Sequence, residues 1–256
     1  MLALLFALTA CKVVDAPENL EELAVYTLVN LDERQTVIDD AASGLVALFE
    51  GDDGQIEQGY RVAALTTEDL TAMDIDKTLE EGVIGAVGQV SMGSSLDDVA
   101  DVVTLADLSA VFSRTEAYQT TLLDDSDRAC FLARECDSLS QTGERQNDQP
   151  LIGKTVQQFE QLFRWAKTED DRDILLFRTL VPEETEMLAD IPIAALRQNY
   201  VLAAIWSEGG ATQRVEVNWV DAEILGLDLP DSLLLDQVVN AMEKQAEEID
   251  AFVSGE

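Results

Sequence analysis

The sequence predicts an α+β protein: an antiparallel sheet packed on a long C-terminal helix and preceded by a pair of N-terminal helices. Three observations predict it. Between residues 137 and 224, segments rich in aromatic and β-branched residues alternate with turn-forming clusters. Beyond Pro230, Leu235, Val238, Val239, Met242, Ala246, Ile249 and Val253 share one helical stripe. Before residue 51, two segments carry apolar residues at helical spacing, with no Pro-rich or low-complexity linker between them and the rest.

Taken in order, the first helix is expected just after Pro17, with Glu18, Glu21 and Glu22 suited to the positive end of its dipole. Leu20, Leu23, Ala24, Leu28 and Leu31 form its apolar stripe. The second carries Val37, Ile38, Ala41, Ala42, Leu45, Val46 and Phe49 and stops at the Gly51–Gly54 loop. Tyr60–Leu65 reads as a short strand and Thr66–Asp69 as a helix start. Val83–Met92 is β-rich and punctuated by glycine, a strand that bends; it lacks the Lys-Ser/Thr of a phosphate loop. Thr104–Asp107 resembles a capping box and predicts a helix through Leu108, Val111, Phe112 and Tyr118.

Strands are then expected over residues 139–145, 152–158, 159–167, 174–181, 198–207 and 213–224. Hairpin turns fall at Thr168–Arg172 and at Ser207–Ala211, where Gly209-Gly210 suits positive φ. Pro230-Asp231-Ser232 opens the final helix, expected to lie across the sheet. Residues 17–256 thus read as one domain, with N-terminal helices over 17–50.

The charge balance narrows the function. Fifty-one acidic residues face 16 basic ones, a formal net charge of −35. Such a surface repels nucleic acid, so nucleic-acid binding is excluded. His is absent, which removes Ser-His-Asp and Cys-His chemistry. The lysines offer no Ser-x-x-Lys context, and the adjacent acids (Asp39-Asp40, Asp52-Asp53, Asp97-Asp98, Asp124-Asp125, Asp170-Asp171, Glu183-Glu184) read as solvated surface rather than a cleft pair. No catalytic constellation, metal site or cofactor is expected, and the chain is read as a non-enzyme.

The first residues carry a different signal. Met1–Ala10 is an apolar run of about ten residues, too short for a membrane span of roughly 20, and it ends in Leu8-Thr9-Ala10-Cys11. This resembles the lipobox of bacterial lipoprotein precursors. The resemblance implies a signal peptide over 1–10, lipidation of Cys11, a tether over 11–16 and a membrane partner through the lipid anchor. Lys12 in place of Asp implies sorting to the outer membrane by the enteric rule. An exported setting then leaves Cys130 and Cys136 as an even pair, expected to form a disulfide. The acidic composition and this Cys spacing are also similar to lipoproteins of deltaproteobacterial type, a likeness that implies no activity.

The element order from Val83 to Val253 looks like the helix-grip arrangement of START-like lipid-binding domains. There a curved antiparallel sheet wraps a long terminal helix around an apolar cavity. The likeness rests on element order, and no family residue is carried over. It implies a hydrophobic or lipid ligand between sheet and helix. Candidate lining residues are Phe163, Trp165, Phe177, Tyr200, Trp206 and Trp219 from the strands and Met242 from the helix. Arg164 and Arg178 fall within strands, facing either a ligand head group or outward toward local acids. The alternative is a structural or interaction lipoprotein of the envelope whose apolar residues fill a solid core.

Overall fold

A computed structural model describes residues 16–50, 60–77, 83–123, 125–149, 153–188, 194–224, 227–228 and 231–255. The expected signal peptide, Cys11 and most of the expected tether lie outside the described residues.

The chain runs α1 (Leu20–Val29), α2 (Gln35–Glu50), β1 (Tyr60–Leu65), α3 (Thr67–Ala72), β2 (Val83–Met92), α4 (Leu96–Val103), β3 (Thr115–Leu122) and α5 (Arg128–Leu132). It continues through β4 (Ser138–Gln149), β5 (Gly153–Lys167), β6 (Asp173–Val181), β7 (Glu186–Met187), β8 (Ala194–Glu208), β9 (Ala211–Ile224), β10 (Leu227–Asp228) and α6 (Asp231–Ser254). The strands form one antiparallel sheet in the order β1-β2-β9-β8-β6-β5-β4-β3, with β7 added to β5 and β10 to β9. The expected α+β architecture, with its N-terminal helical pair and long C-terminal helix, is the one observed.

Local chemistry sets the element ends. The Asn19 side chain accepts from the Glu22 amide at 2.9 Å and starts α1. Thr66 and Asp69 make a reciprocal capping box at α3. Gly209 and Gly210 both take positive φ, 60° and 91°, in the turn from β8 to β9.

Two expected element boundaries are corrected. Thr104 ends a helix instead of starting one: α4 begins at Ser95, whose hydroxyl accepts from the Asp98 amide, and Thr104 Oγ1 bonds back to the Ala100 carbonyl at 2.7 Å. The stronger Ser-x-x-Asp cap upstream wins, and Tyr118 falls in β3. The expected segments 152–158 and 159–167 are joined in one strand, β5, described from Gly153, because no turn residue separates Gln158 from Phe159.

The sheet is covered on both faces. On one face α1 and α2 bury Leu23, Leu28, Ile38, Leu45 and Phe49 against Leu176, Tyr200, Leu202, Trp206 and Trp219. Fully burying one such large side chain contributes about 1.5–3 kcal/mol. Gly85 permits the close approach of β1 to β2. A Cβ there would lie 2.6 Å from Trp219 Nε1 and closer still to Val62.

Arg164 and Arg178 lie on this helical-pair face, away from α6, and Arg178 pairs there with a local acid, Asp32, at 3.1 Å, as the outward reading expects. Arg178 Nη1 donates to the carbonyls of Leu28 (2.9 Å) and Val29 (3.3 Å), and Arg164 Nη1 to those of Leu31 (3.1 Å) and Glu33 (3.0 Å). Arg178 therefore caps terminal carbonyls of α1, where positive charge also complements the helix dipole, and Arg164 holds the carbonyls of the turn that follows it. Burial pulls the Arg164 pKa down, opposed by Asp137, Asp32 and Asp39.

On the opposite, inner face, the C-terminal half of α6 buries Met242, Ala246 and Ile249. Ala246 and Ile249 join Phe163, Leu175, Phe177, Ala203 and Ile205 in a second apolar cluster. The helix packs chiefly along β2 rather than across the middle of the sheet. Two carboxylates fasten it. Asp250 accepts from the amides of Gly93 (2.8 Å) and Ser94 (2.9 Å) and from the Ser94 hydroxyl, while Glu248 accepts from Ser113. The expected Val253 end of the stripe is exposed.

Candidate functional site

The period-2 alternation of the strands assigns side chains to the inner face. Phe163 pairs with Leu139 and Phe177, and Gln161 pairs with Gln141 and Thr179. Ala203 pairs with Phe177 and Glu216, and Val201 with Thr179 and Asn218. Arg145 lies between Tyr118 and Gln157. The inner face therefore has an apolar zone under the C-terminal half of α6 and, beyond it, a polar zone.

The apolar zone is closed. Phe163 stacks toward Phe177 and Phe131 of α5, with centroids at 5.3 and 6.4 Å. Trp165 stacks on Phe131 at 5.5 Å and donates its indole N–H to the Phe131 carbonyl at 2.8 Å. Arg134 covers the outer side of that indole at 4.1 Å. The expected disulfide joins Cys130 to Cys136 (Cα–Cα 5.3 Å) and closes the loop that presents Phe131.

The polar zone is a chain of uncharged hydrogen bonds flanked by two arginines. Gln161 Oε1 accepts from Tyr118 Oη (3.1 Å) and from Gln141 Nε2 (2.7 Å), and Gln161 Nε2 donates to Thr179 Oγ1 (3.0 Å). Burial pushes the Tyr118 pKa up to about 12, opposed by Arg145 and Gln161, so the phenol remains a donor at neutral pH. On one flank, Arg145 Nε donates to Gln157 Oε1 at 2.7 Å, and Gln157 Nε2 passes on to Thr185 Oγ1 at 3.0 Å. On the other, Arg214 pairs with Glu216, whose second oxygen accepts from Asn218 at 2.7 Å. Gly143 leaves the room that Phe159 fills: a Cβ there would sit 2.7 Å from Phe159 Cζ and 2.5 Å from the Gln119 carbonyl.

Arg145 on β4 and Glu216 on β9 are four strand steps apart. The negative charge of Glu216 favours the charged form of the Arg145 guanidinium, against the larger effect of burial. Accessibility differs sharply between the two faces here. On the helical-pair face Tyr200, Leu202 and Val217 are at most 1% exposed. On the inner face of the same strands, Val201, Asn218 and Val220 keep accessible surface, as do Gln161 and Arg145.

The seven expected lining residues do not converge. Phe163, Trp165, Phe177 and Met242 lie on the inner face, Trp165 at its closed end. Tyr200, Trp206 and Trp219 lie on the helical-pair face. There Trp206 donates to Glu50 at 2.9 Å and Trp219 to the Ala63 carbonyl at 3.0 Å. Burial raises the Tyr200 pKa, reinforced by Asp221 and Glu183. Sequence patterning did not single out Arg145, Gln157, Gln161, Arg214 or Glu216. The signal that finds the β5 members is parity: Gln157 and Gln161 alternate in step with Phe159 and Phe163, polar residues at core positions.

Among the described residues, no group of three or more His, Cys, Asp or Glu is arranged to hold a metal ion. Ser113, Lys244 and Glu248 form a hydrogen-bonded set, with Lys244 Nζ 2.8 Å from Ser113 Oγ, but at the outer edge of α6, away from the polar zone.

No protein-family model matches the chain, and no curated protein matches it. Solved structures are similar in fold. Human StAR-related lipid transfer protein 5 is 12% identical over 70% of this chain and 79% of its own, with a TM-score of 0.44. The STAR-related lipid transfer protein of Xanthomonas axonopodis is 12% identical over 67% of this chain and 86% of its own (a fragment), with a TM-score of 0.42. A START superfamily protein from Mycobacterium smegmatis is 9% identical over 67% and 97%, with a TM-score of 0.42.

Proposed function

We propose that the protein binds a hydrophobic or amphipathic small molecule, of the lipid class, in the space between the inner face of the sheet and α6. One observation carries this reading. In the middle of β8 and β9, Val201, Asn218 and Val220 on the inner face keep accessible surface, while Tyr200, Leu202 and Val217 on the other face are at most 1% exposed. Arg145 sharpens it. Desolvation is the largest influence on this guanidinium, yet its side chain retains accessible surface. A guanidinium that is largely desolvated yet still accessible is placed to meet a bound molecule. The proposed space, with an apolar floor and a few convergent polar groups, is suited to a small organic ligand.

The proposed setting is the cell envelope. Leu8-Thr9-Ala10-Cys11 supports cleavage before Cys11, lipidation of its sulfur and residence at the outer membrane; the Cys130–Cys136 disulfide is in keeping with export. Labelled palmitate should enter the wild-type chain in its host and not a Cys11→Ala variant. Label in both chains would remove the anchor from the proposal.

Native mass spectrometry of protein purified from its own host tests the binding function. A co-purifying mass of lipid size, lost on organic extraction and restored by a neutral single-chain amphiphile such as decanol, is expected. An extracted protein that takes up neither decanol nor an anionic single-chain amphiphile in calorimetry would favour the solid-core alternative.

A further inference from the structure

The polar zone of the inner face holds an uncompensated positive charge. Its charged side chains, among the described residues, are Arg145, Arg214 and Glu216. Glu216 is committed to Arg214 and Asn218. Arg145 donates Nε to Gln157, a neutral amide, and among the described residues no carboxylate lies within ion-pair distance of it. Its titratable neighbours are Tyr118, held neutral, and Glu216, already engaged. A guanidinium does not shed its proton to escape burial. An enclosed unpaired charge is costly, and proteins normally offset it with a counterion. This chain has 51 carboxylates for 16 cations, so a partner was readily supplied by sequence. None of the described carboxylates fills the place.

Building on the amphiphile-binding reading above, we infer that Arg145 is the head-group subsite: its two terminal amino groups receive a carboxylate or phosphate oxyanion. The ligand is then an anionic single-headed amphiphile. Gln157 fixes the guanidinium by accepting from Nε, which leaves the outer edge of the fork for two parallel hydrogen bonds. Phe159, whose ring lies 5.7 Å from the guanidinium carbon, covers one side of the fork. From there the apolar chain runs along the inner face over Val201 and toward Phe177. The polar belt of Gln141, Gln161 and Thr179 is internally hydrogen-bonded and borders the head without adding charge.

The test is calorimetry on the extracted full-length protein with decanoate, decyl phosphate and decanol as probes. Acetate and inorganic phosphate serve as free anions. Two variants accompany the wild type. Arg145→Met removes the charge while keeping the bulk, and Gln157→Glu supplies an internal carboxylate that pairs Arg145. Wild type should bind at least one anionic amphiphile roughly tenfold to a hundredfold more tightly than decanol. Both variants should lose that preference while still binding decanol. Equal binding of all three amphiphiles by wild type, or an unchanged preference in both variants, would overturn the Arg145 subsite and leave the amphiphile site standing. Acetate or inorganic phosphate binding as tightly as the amphiphiles would make this a small-anion site and overturn the head-group assignment. Failure of all three amphiphiles to bind would remove the binding function itself, and the subsite with it.

Discussion

Replacing Arg178 by Met isolates what fastens the N-terminal helices to the sheet. Arg178 reaches two terminal carbonyls of α1, at Leu28 and Val29, and the carboxylate of Asp32 at 3.1 Å. The Asp32 side chain is 61% exposed, so that ion pair contributes only about 0–1 kcal/mol. The carbonyl contacts differ. The bond to Leu28 is buried, and losing a charged donor there costs about 1.5–3 kcal/mol. Loss of positive charge at the helix C-terminus adds roughly 0.3–1 kcal/mol. Met replaces most of the apolar stem, so the expected total is about 2–4 kcal/mol. For a domain of this size that lowers the melting temperature by about 4–16 °C. Asp32→Asn should change it by no more than about 4 °C. Thermal unfolding followed by circular dichroism, at matched pH and salt, measures both. Equal losses in the two variants would refute carbonyl capping and make the ion pair the anchor. Decanol binding per folded molecule should be unchanged in Arg178→Met, because Arg178 lies on the face opposite the ligand space.

Three further outcomes are expected. Reducing the Cys130–Cys136 bond, or replacing both residues by Ser, should cost about 2 kcal/mol through the closed loop alone, read as a lower melting temperature in dithiothreitol. Asp250 is desolvated, but hydrogen bonds from Ser94 and Gly93 outweigh this and hold its pKa below the usual range. A lowered folded pKa adds stability above the unfolded value of about 3.9 and loses it as pH falls through the folded value. The melting-temperature gap between wild type and Asp250→Asn should therefore be widest near neutral pH and shrink below about pH 4; a pH-independent gap would remove the latch from the account. Gly85→Ala should cost about 1–3 kcal/mol in chemical denaturation, since its Cβ collides with Val62 and Trp219; a neutral effect would show that β1 is free to move away.

Much of the fold was legible because periodicity and turn chemistry are local signals. The α2 stripe, Ile38 through Phe49, is the buried set, and Gly209-Gly210 marks the β8–β9 turn. Thr104 misled because a cap motif is only four residues long and a competing one stood nine residues upstream at Ser95. The site was harder to read. Two-sided burial makes β6 and β8 nearly continuous apolar runs, so Tyr200 and Trp206 show no alternation that tells one face from the other. The pairing of β2 with β9, and the bonds from the β5 and β6 arginines to carbonyls at and just beyond the end of α1, join residues 120 or more positions apart, which no window along the chain can see. In β5 alternation does persist, and there Gln157 and Gln161 were readable as polar residues in core register, whereas β4 is polar nearly throughout and gives Arg145 no such signal.

The central claim, that the inner face borders a space and not a packed core, is tested most directly by Val201→Trp. Val201 is on the central strand β8, at inner-face parity. The measurement is decanol binding and melting temperature on the same sample. If a space lies above Val201, the indole occupies it: decanol affinity falls at least tenfold, and the melting temperature moves by no more than about 2 °C. If the core is solid, overpacking costs about 1–3 kcal/mol and lowers the melting temperature by roughly 2–12 °C, with no decanol binding in either protein. That second result would contradict the account.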